Sequence, residues 1–130
     1  MILIKSYLKK SGIHGIGLFA KENIPKGKKV WEFTIGFDLS MSKDEVDSLS
    51  DAAKEQFLNY AYISKDTGKY ILCSDDSRFF NHSNTPNVIC AYTSLDKIEK
   101  LECFAGADIS FDQELTCNYR EFDSNPSDVI

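Results

Sequence analysis

The sequence predicts a mostly β fold with short helices, on three observations. Apolar and β-branched residues come in short runs, turn formers such as Pro25, Gly27 and Gly68 separate those runs, and helical spacing is confined to one stretch, Ser42 to Asn59. Taken in order, Ile2-Leu3-Ile4 opens a first strand and Leu18-Phe19-Ala20 lies in a second. Val30-Trp31-Glu32-Phe33 alternates as a third, after the turn at Pro25 and Gly27. Tyr60–Ile63 and Lys69–Cys73 flank Asp66-Thr67-Gly68, the pattern of a hairpin. Val88–Tyr92, Ile98–Phe104 and Leu115–Tyr119 complete the strands.

Between Ser42 and Asn59 the pattern changes. Ser42 with Glu45 makes a capping box, and Val46, Leu49, Ala53 and Phe57 recur at helical spacing. Ser50 before Asp51 can cap a second helix, so a break near Leu49 is expected. This segment is expected to pack against a small sheet.

A chain of 130 residues, 42% hydrophobic and 27% charged, has the size and composition of one folded domain, expected to span 1–130. The apolar run Met1–Ile4 stops at Lys5, too short for a signal peptide or transmembrane segment; cytoplasmic location and delivery into a host cell both stay open. With 20 acidic against 15 basic residues the net charge is −5, which argues against direct nucleic-acid contact and favours a basic partner. Cys73, Cys90, Cys103 and Cys117 form no C-x-x-C pair and have no nearby His, so no metal site is expected and all four are read as reduced, mostly buried thiols.

Three clusters exceed what folding alone requires. His14-Gly15-Ile16-Gly17-Leu18-Phe19 places two glycines just before a strand, where backbone can approach a ligand without an intervening Cβ. Arg78-Phe79-Phe80-Asn81-His82-Ser83-Asn84-Thr85-Pro86-Asn87 concentrates hydrogen-bonding side chains behind two phenylalanines, which would anchor Asn81 and His82 at the edge of a buried site. Glu114-Leu115-Thr116-Cys117-Asn118-Tyr119 is strand-like and ends on a tyrosine.

In this order, Gly-x-Gly-x-Phe, Arg-Phe-x-Asn-His-Ser-x-x-Pro-Asn and Glu-Leu-Thr-x-x-Tyr resemble the signature motifs of the SET-domain protein-lysine N-methyltransferases. Pro25-x-Gly27 and Ala107-x-Ile109 also follow that pattern, so the resemblance runs from about Lys10 to Tyr119. It implies the SET-domain β-clip fold, several small and mostly antiparallel sheets with a pseudoknot-like C-terminal crossing that brings Asn81-His82 against Tyr119. Residues 120–130 make a short tail without the zinc-binding cysteine cluster of many relatives, as in compact viral and bacterial members. Asn84 replaces a cysteine frequent in the family, a change expected to be neutral.

The resemblance further implies S-adenosylmethionine as cofactor and a lysine of a protein substrate, in a basic context, as methyl acceptor; a membrane plays no part and a homodimer stays open. It assigns cofactor contacts to His14, Gly15, Ile16, Gly17, Asn81 and His82. Tyr119 is the implied catalytic residue, with Tyr62, Cys117 and Phe122 around the substrate channel, and Tyr60 and Tyr70 as further aromatic candidates. Phe122 could equally belong to a frayed tail. Arg78 is read as structural first, pairing with Glu114 or another acid. Cys117, two residues before Tyr119, stands where relatives usually hold Phe or Tyr, and its small size implies room for more than one methylation unless Tyr62 or Phe122 fills the gap. Two rival readings remain: a catalytically inactive SET-like peptide- or cofactor-binding module, and a hydrolase pairing Cys73 or Cys90 with His82.

Overall fold

A computed structural model describes residues 1–93 and 99–126. In chain order its elements are β1 (Ser6–Lys10), β2 (Ile16–Ala20), β3 (Lys29–Glu32), β4 (Leu39–Met41), α1 (Lys43–Asp47), α2 (Asp51–Tyr60), β5 (Tyr62–Ile63), β6 (Tyr70–Leu72), β7 (Asn81–His82), β8 (Val88–Tyr92), β9 (Leu101–Ala105) and β10 (Thr116–Cys117). Short 3-10 turns cover Asp76–Phe79 and Tyr119–Glu121. The strands form four small sheets, ordered β1-β2, β3-β9-β8, β4-β6-β5 and β10-β7. The first three are antiparallel and the last is parallel. Among the described residues no helix is long and apolar enough to cross a membrane.

The helical segment follows its capping chemistry. The Glu45 amide donates to Ser42 Oγ at 3.2 Å and the Ser42 amide to Glu45 Oε1 at 3.0 Å, while Ser50 Oγ accepts from Ala53 N at 3.1 Å, so the chain breaks into two helices where expected. Only Val46 and Phe57 are buried in them; Ala53, expected on the packed face, is exposed. The hairpin around Gly68 is present, with Tyr62 opposite Ile71, though Tyr60 closes α2 rather than opening a strand.

Several strand expectations need correction. Ile2–Ile4 makes one isolated bridge, Ile2 to Trp31, flanked by the bonds from Leu3 N to the Val30 carbonyl and from Glu32 N to the Met1 carbonyl, and the Ile2 amide, turned away from β3, donates to the Asp75 carboxylate at 2.8 Å. The alternation expected over Val30–Phe33 fails because β3 bulges between Lys29 and Trp31, which puts Val30 and Trp31 both in the core. The strand expected to end at Tyr119 stops at Cys117, where Asn118 caps the turn that follows by accepting from Arg120 N at 3.0 Å. Short β4 carries no burial pattern and was not expected. Ile98, expected to begin β9, lies outside the described residues, as do 127–130 of the expected tail.

The reading of four reduced thiols is also overturned, since Cys90 and Cys103 are joined by a disulfide. They are register partners on β8 and β9, and the Cys90 amide points away from β9 to Glu121 Oε1 at 3.3 Å. That makes them a non-hydrogen-bonded pair, the position that brings cross-strand side chains closest. Cys73 and Cys117 are free.

The expected crossing is built by residues 112–117. On one side the Leu115 amide donates to the Leu18 carbonyl at 2.8 Å and the Ala20 amide to that of Gln113 at 3.0 Å. On the other side β10 pairs with β7, Thr116 opposite Asn81 and Cys117 opposite His82. The segment therefore runs between the first hairpin and the Asn81-His82 motif. The core beneath it includes Leu18, Val30, Trp31, Ile71, Val88, Leu101 and Leu115.

Candidate active site

The loop between β1 and β2 is shaped from within. Ser11 Oγ accepts from the Ile13 and His14 amides at 2.8 and 3.2 Å, and Gly15 turns with φ of +49°, a left-handed conformation that glycine adopts at little cost. Glu114, arriving on the crossing segment, then fastens the loop. Its carboxylate accepts from Ser11 Oγ at 2.8 Å and from Asn81 Nδ2 at 2.9 Å, and the same Asn81 nitrogen donates to the His14 carbonyl at 3.0 Å. Gly17 leaves room for that carboxylate, because a Cβ there would sit 2.5 Å from Glu114 Oε2 and push it aside.

The third motif is tied to the second with equal directness. Tyr119 N–H donates to His82 Nδ1 at 3.1 Å, which leaves the ring proton on Nε2 facing Asn84 Oδ1 at 3.0 Å. The two rings lie 5.2 Å apart. Arg120 also donates to Asn84 Oδ1, at 2.9 Å, so Asn84 bridges His82 and Arg120 at the surface of this corner. The Tyr119 hydroxyl donates to the Phe80 carbonyl. Arg78 does not pair with Glu114; its guanidinium donates to the Cys73 carbonyl at 2.8 Å and lies 5.9 Å from the Tyr60 ring centroid.

These parts surround one cavity of about 820 Å³. His14, Gly15, Ile16 and Asn81 line it together with Tyr62, Cys117, Tyr119 and Phe122; Tyr60 and Tyr70 contribute too. Gly17 and His82 stand behind the wall, one against Glu114 and the other against the Tyr119 backbone. Phe79 and Phe80 are half-buried and line the cavity; Phe80 packs against the core as expected, whereas Phe79 stands edge-on to Tyr60 and is not part of that core. Phe122 is buried and edge-on to Tyr62, centroids 5.0 Å apart, so the tail is docked at this point and not frayed. Burial pushes the Cys117 thiol well above the ordinary cysteine range, which makes it a packing surface and not a nucleophile. Cys90 is consumed by its disulfide and Cys73 is likewise shifted upward by burial, so neither supports the hydrolase reading with His82.

A sequence profile of the SET domain matches residues 15–120. The chain belongs to the SET-domain family. It is similar to a Plasmodium falciparum protein provisionally named histone-lysine N-methyltransferase 1, 31% identical over 121 residues that make up 90% of this chain and 2% of that protein. Human histone-lysine N-methyltransferase 2D is 28% identical over 118 residues, 88% of this chain and 2% of the relative. The chain thus spans a small fraction of the curated relatives it matches. Among solved structures, the Chaetomium thermophilum Polycomb Repressive Complex 2 superposes with a TM-score of 0.69 at 25% identity, over 96% of this chain and 17% of that one. The same complex has been solved in an autoinhibited conformation bound to S-adenosylmethionine, with a TM-score of 0.65 at 23% identity, over 96% of this chain and 16% of that one.

Two groups at this SET site escape sequence reasoning. Glu114 is read only as the opening of the third motif and a partner for Arg78, and it is the crossing that reveals its bonds to Ser11 and Asn81 beside the His14 loop. Glu99 carries no motif at all, yet it is buried with Tyr62 and Ser64 donating to its carboxylate, both at 3.2 Å.

Proposed function

We propose that the chain is an S-adenosylmethionine-dependent protein-lysine methyltransferase, and one observation carries the reading. The glycine-bearing loop, Asn81 and Tyr119, far apart in sequence, converge on a single cavity of about 820 Å³, a size that suits a ligand joining a nucleoside to an amino acid. The lining fits such a ligand. The exposed loop at His14–Ile16 offers backbone polar groups, apolar residues such as Val88, Leu101 and Phe122 share the lining with Ser77, Arg78 and Asp123, and Trp31, also in the lining, has a buried Nε1 donor without a hydrogen-bond partner among the described residues. His14, Gly15, Ile16 and Asn81 would hold the cofactor, with His82 outside the lining holding the Tyr119 backbone. Gly17 serves by keeping Glu114 in place.

When bound, the cofactor supplies an electrophilic methyl group on a sulfonium. The chain's part is to prepare the acceptor and the path. A lysine amine in water has a pKa near ~10.4, so its lone pair is blocked by a proton at neutral pH. Tyr62, Cys117 and Phe122, all buried, would surround it with apolar surface, and desolvation lowers that pKa. Tyr119 donates its hydroxyl proton to the Phe80 carbonyl, which fixes its electron-rich phenolic oxygen at the cavity wall. That suits the positive charge carried by a transferring methyl group and its polarised hydrogens. Tyr119 is not assigned as general base, since phenolate is scarce at neutral pH. A net charge of −5 favours a target lysine set among basic residues.

Titration calorimetry with S-adenosylmethionine, followed by incubation of the protein with the isotope-labelled cofactor and whole-cell extract, tests this. Saturable heat and label on lysine of a protein band are expected. Absence of heat and of thermal stabilisation at millimolar cofactor would sink the reading. Binding without transfer would leave the inactive module.

A further inference from the structure

The Tyr62 side chain is shared between the cavity and a buried carboxylate that the methyl-transfer reading does not use. Its ring lines the cavity and packs edge-on against Phe122, whose ring is in turn 6.0 Å from that of Tyr119. Its hydroxyl is turned the other way, onto Glu99 Oε2 at 3.2 Å. Glu99 does not line this cavity; it is 4% exposed and borders a separate, smaller one. Ser64 donates to the other carboxylate oxygen at 3.2 Å, so the acceptor is itself held in place. Taking a carboxylate out of water is costly unless such donors meet it, and these two hydroxyls, with the Lys100 backbone amide, are what the site provides.

We propose that Glu99 is a positioning residue of the lysine channel: from behind the wall it draws the Tyr62 hydroxyl away, so that the channel meets aromatic carbon at that point and not a hydroxyl. The consequence is chemical. A hydroxyl facing the channel could hydrogen-bond the amine or an ordered water and hinder a methylated lysine from turning back into line. Aromatic carbon imposes no such direction and still attracts an ammonium through its face. Glu99 thereby acts on how many methyl groups the site admits, through Tyr62, without touching substrate.

This inference rests on the methyltransferase reading, and its test separates the two. Methylation of a core-histone mixture, used as a lysine-rich probe, is followed with labelled cofactor and mass spectrometry for wild type, Tyr62→Phe, Glu99→Gln, Glu99→Leu and the double variant Tyr62→Phe/Glu99→Leu. The Tyr62→Phe variant alters a channel residue and is read by its product alone: the ratio of mono- to higher-methylated lysine should match wild type, because the lost hydroxyl never faced the channel. Glu99→Gln retains an acceptor and should behave likewise. Glu99→Leu frees the hydroxyl and should shift product toward monomethyl-lysine while cofactor affinity stays unchanged; the double variant, with no hydroxyl to swing inward, should recover the wild-type ratio. A changed product ratio in Tyr62→Phe, or a wild-type ratio in folded Glu99→Leu, would overturn the proposal while leaving the enzyme reading intact. Should Glu99→Leu fail to fold, the Tyr62→Phe result decides alone. A wild type that labels no protein would remove both.

Discussion

Tyr119 donates its hydroxyl to the Phe80 carbonyl, while its backbone amide is held by His82 Nδ1 at 3.1 Å, so ring position and hydroxyl chemistry have separate supports. Tyr119→Phe should therefore leave the ring in place, cut turnover at saturating substrate by at least tenfold, and leave cofactor affinity nearly unchanged. Steady-state kinetics beside calorimetry decides it; near-wild-type turnover would make the hydroxyl a structural group only. Cys117 is both a cavity wall and a core residue, 3% exposed. Cys117→Tyr should narrow the channel and move product toward monomethyl-lysine, provided a thermal melt shows the overpacked variant still folds. Mass spectra of methylated histone read the outcome, and an unchanged product in a folded, active variant would place the amine elsewhere. Tyr119 and Asn81 were legible in the sequence because their motifs demand particular residue types. Glu99 was not, since nothing local distinguishes a surface glutamate from one buried beneath a hairpin 35 residues away at Ser64. The Cys90–Cys103 bond was hidden for a related reason: pairing depends on strand register, which a 13-residue separation does not reveal.

The loop between β1 and β2 shows how an element can carry a glycine for a reason other than ligand approach. A Cβ on Gly17 would stand 2.5 Å from Glu114 Oε2 and 2.9 Å from its Cδ, whereas one on Gly12 would meet nothing within 4 Å. Gly17→Ala should displace the Glu114 carboxylate, loosen Ser11 and Asn81 together, and weaken the cofactor by at least tenfold in calorimetry; Gly12→Ala should stay within twofold of wild type. Equal behaviour of the two variants would refute the fastening role of Glu114. At the helices, Asp47 joins α1 to α2 by accepting from Lys43 Nζ at 2.6 Å and Lys54 Nζ at 2.7 Å. The two ammonium groups hold its carboxyl down to about 2, against an ordinary 3.8. The lowered value means that the contribution is fully present above pH 3.8 and fades as pH falls toward about 2. Asp47→Asn should flatten that part of the acid-unfolding curve, by a small amount that shrinks further in high salt because the pair is on the surface. Capping chemistry made these helices readable to within a residue, being written in consecutive side chains. Edge strand β4 and the bulge in β3 are set by partners distant in sequence, so no local pattern announced them.

At the scale of the whole molecule, everything proposed for the site depends on residues 112–117 lying between the first hairpin and the Asn81-His82 strand, and one side chain ties that passage at two points. Asn87 Nδ2 donates to the Glu114 carbonyl at 2.8 Å, and Asn87 Oδ1 accepts from the Thr116 amide at 2.9 Å. The pair of bonds spans the step from the residue that fastens the cofactor loop to the first residue of β10, which lies opposite Asn81. The resemblance to the SET family predicted that a crossing exists; it did not say which group holds it, because Asn87 reads locally as the end of an Asx-rich turn. Asn87→Ala removes both bonds and leaves a partly buried carbonyl and amide without their partner. At about 1 kcal/mol for each bond, with an added desolvation term, the loss should be about 2–3 kcal/mol. That is a large share of the few kcal/mol that hold a small domain together, and it should lower Tm by on the order of 10 °C. Urea unfolding should show a lower midpoint with an unchanged slope, since the folded architecture is the same and only its stability differs. Because the crossing also delivers Glu114 and Tyr119, cofactor affinity and turnover should fall together in this variant, unlike Tyr119→Phe, where only turnover falls. A stable Asn87→Ala protein with full affinity would show that the hydrogen bonds from Leu115 to Leu18 and from Ala20 to Gln113 hold the passage unaided.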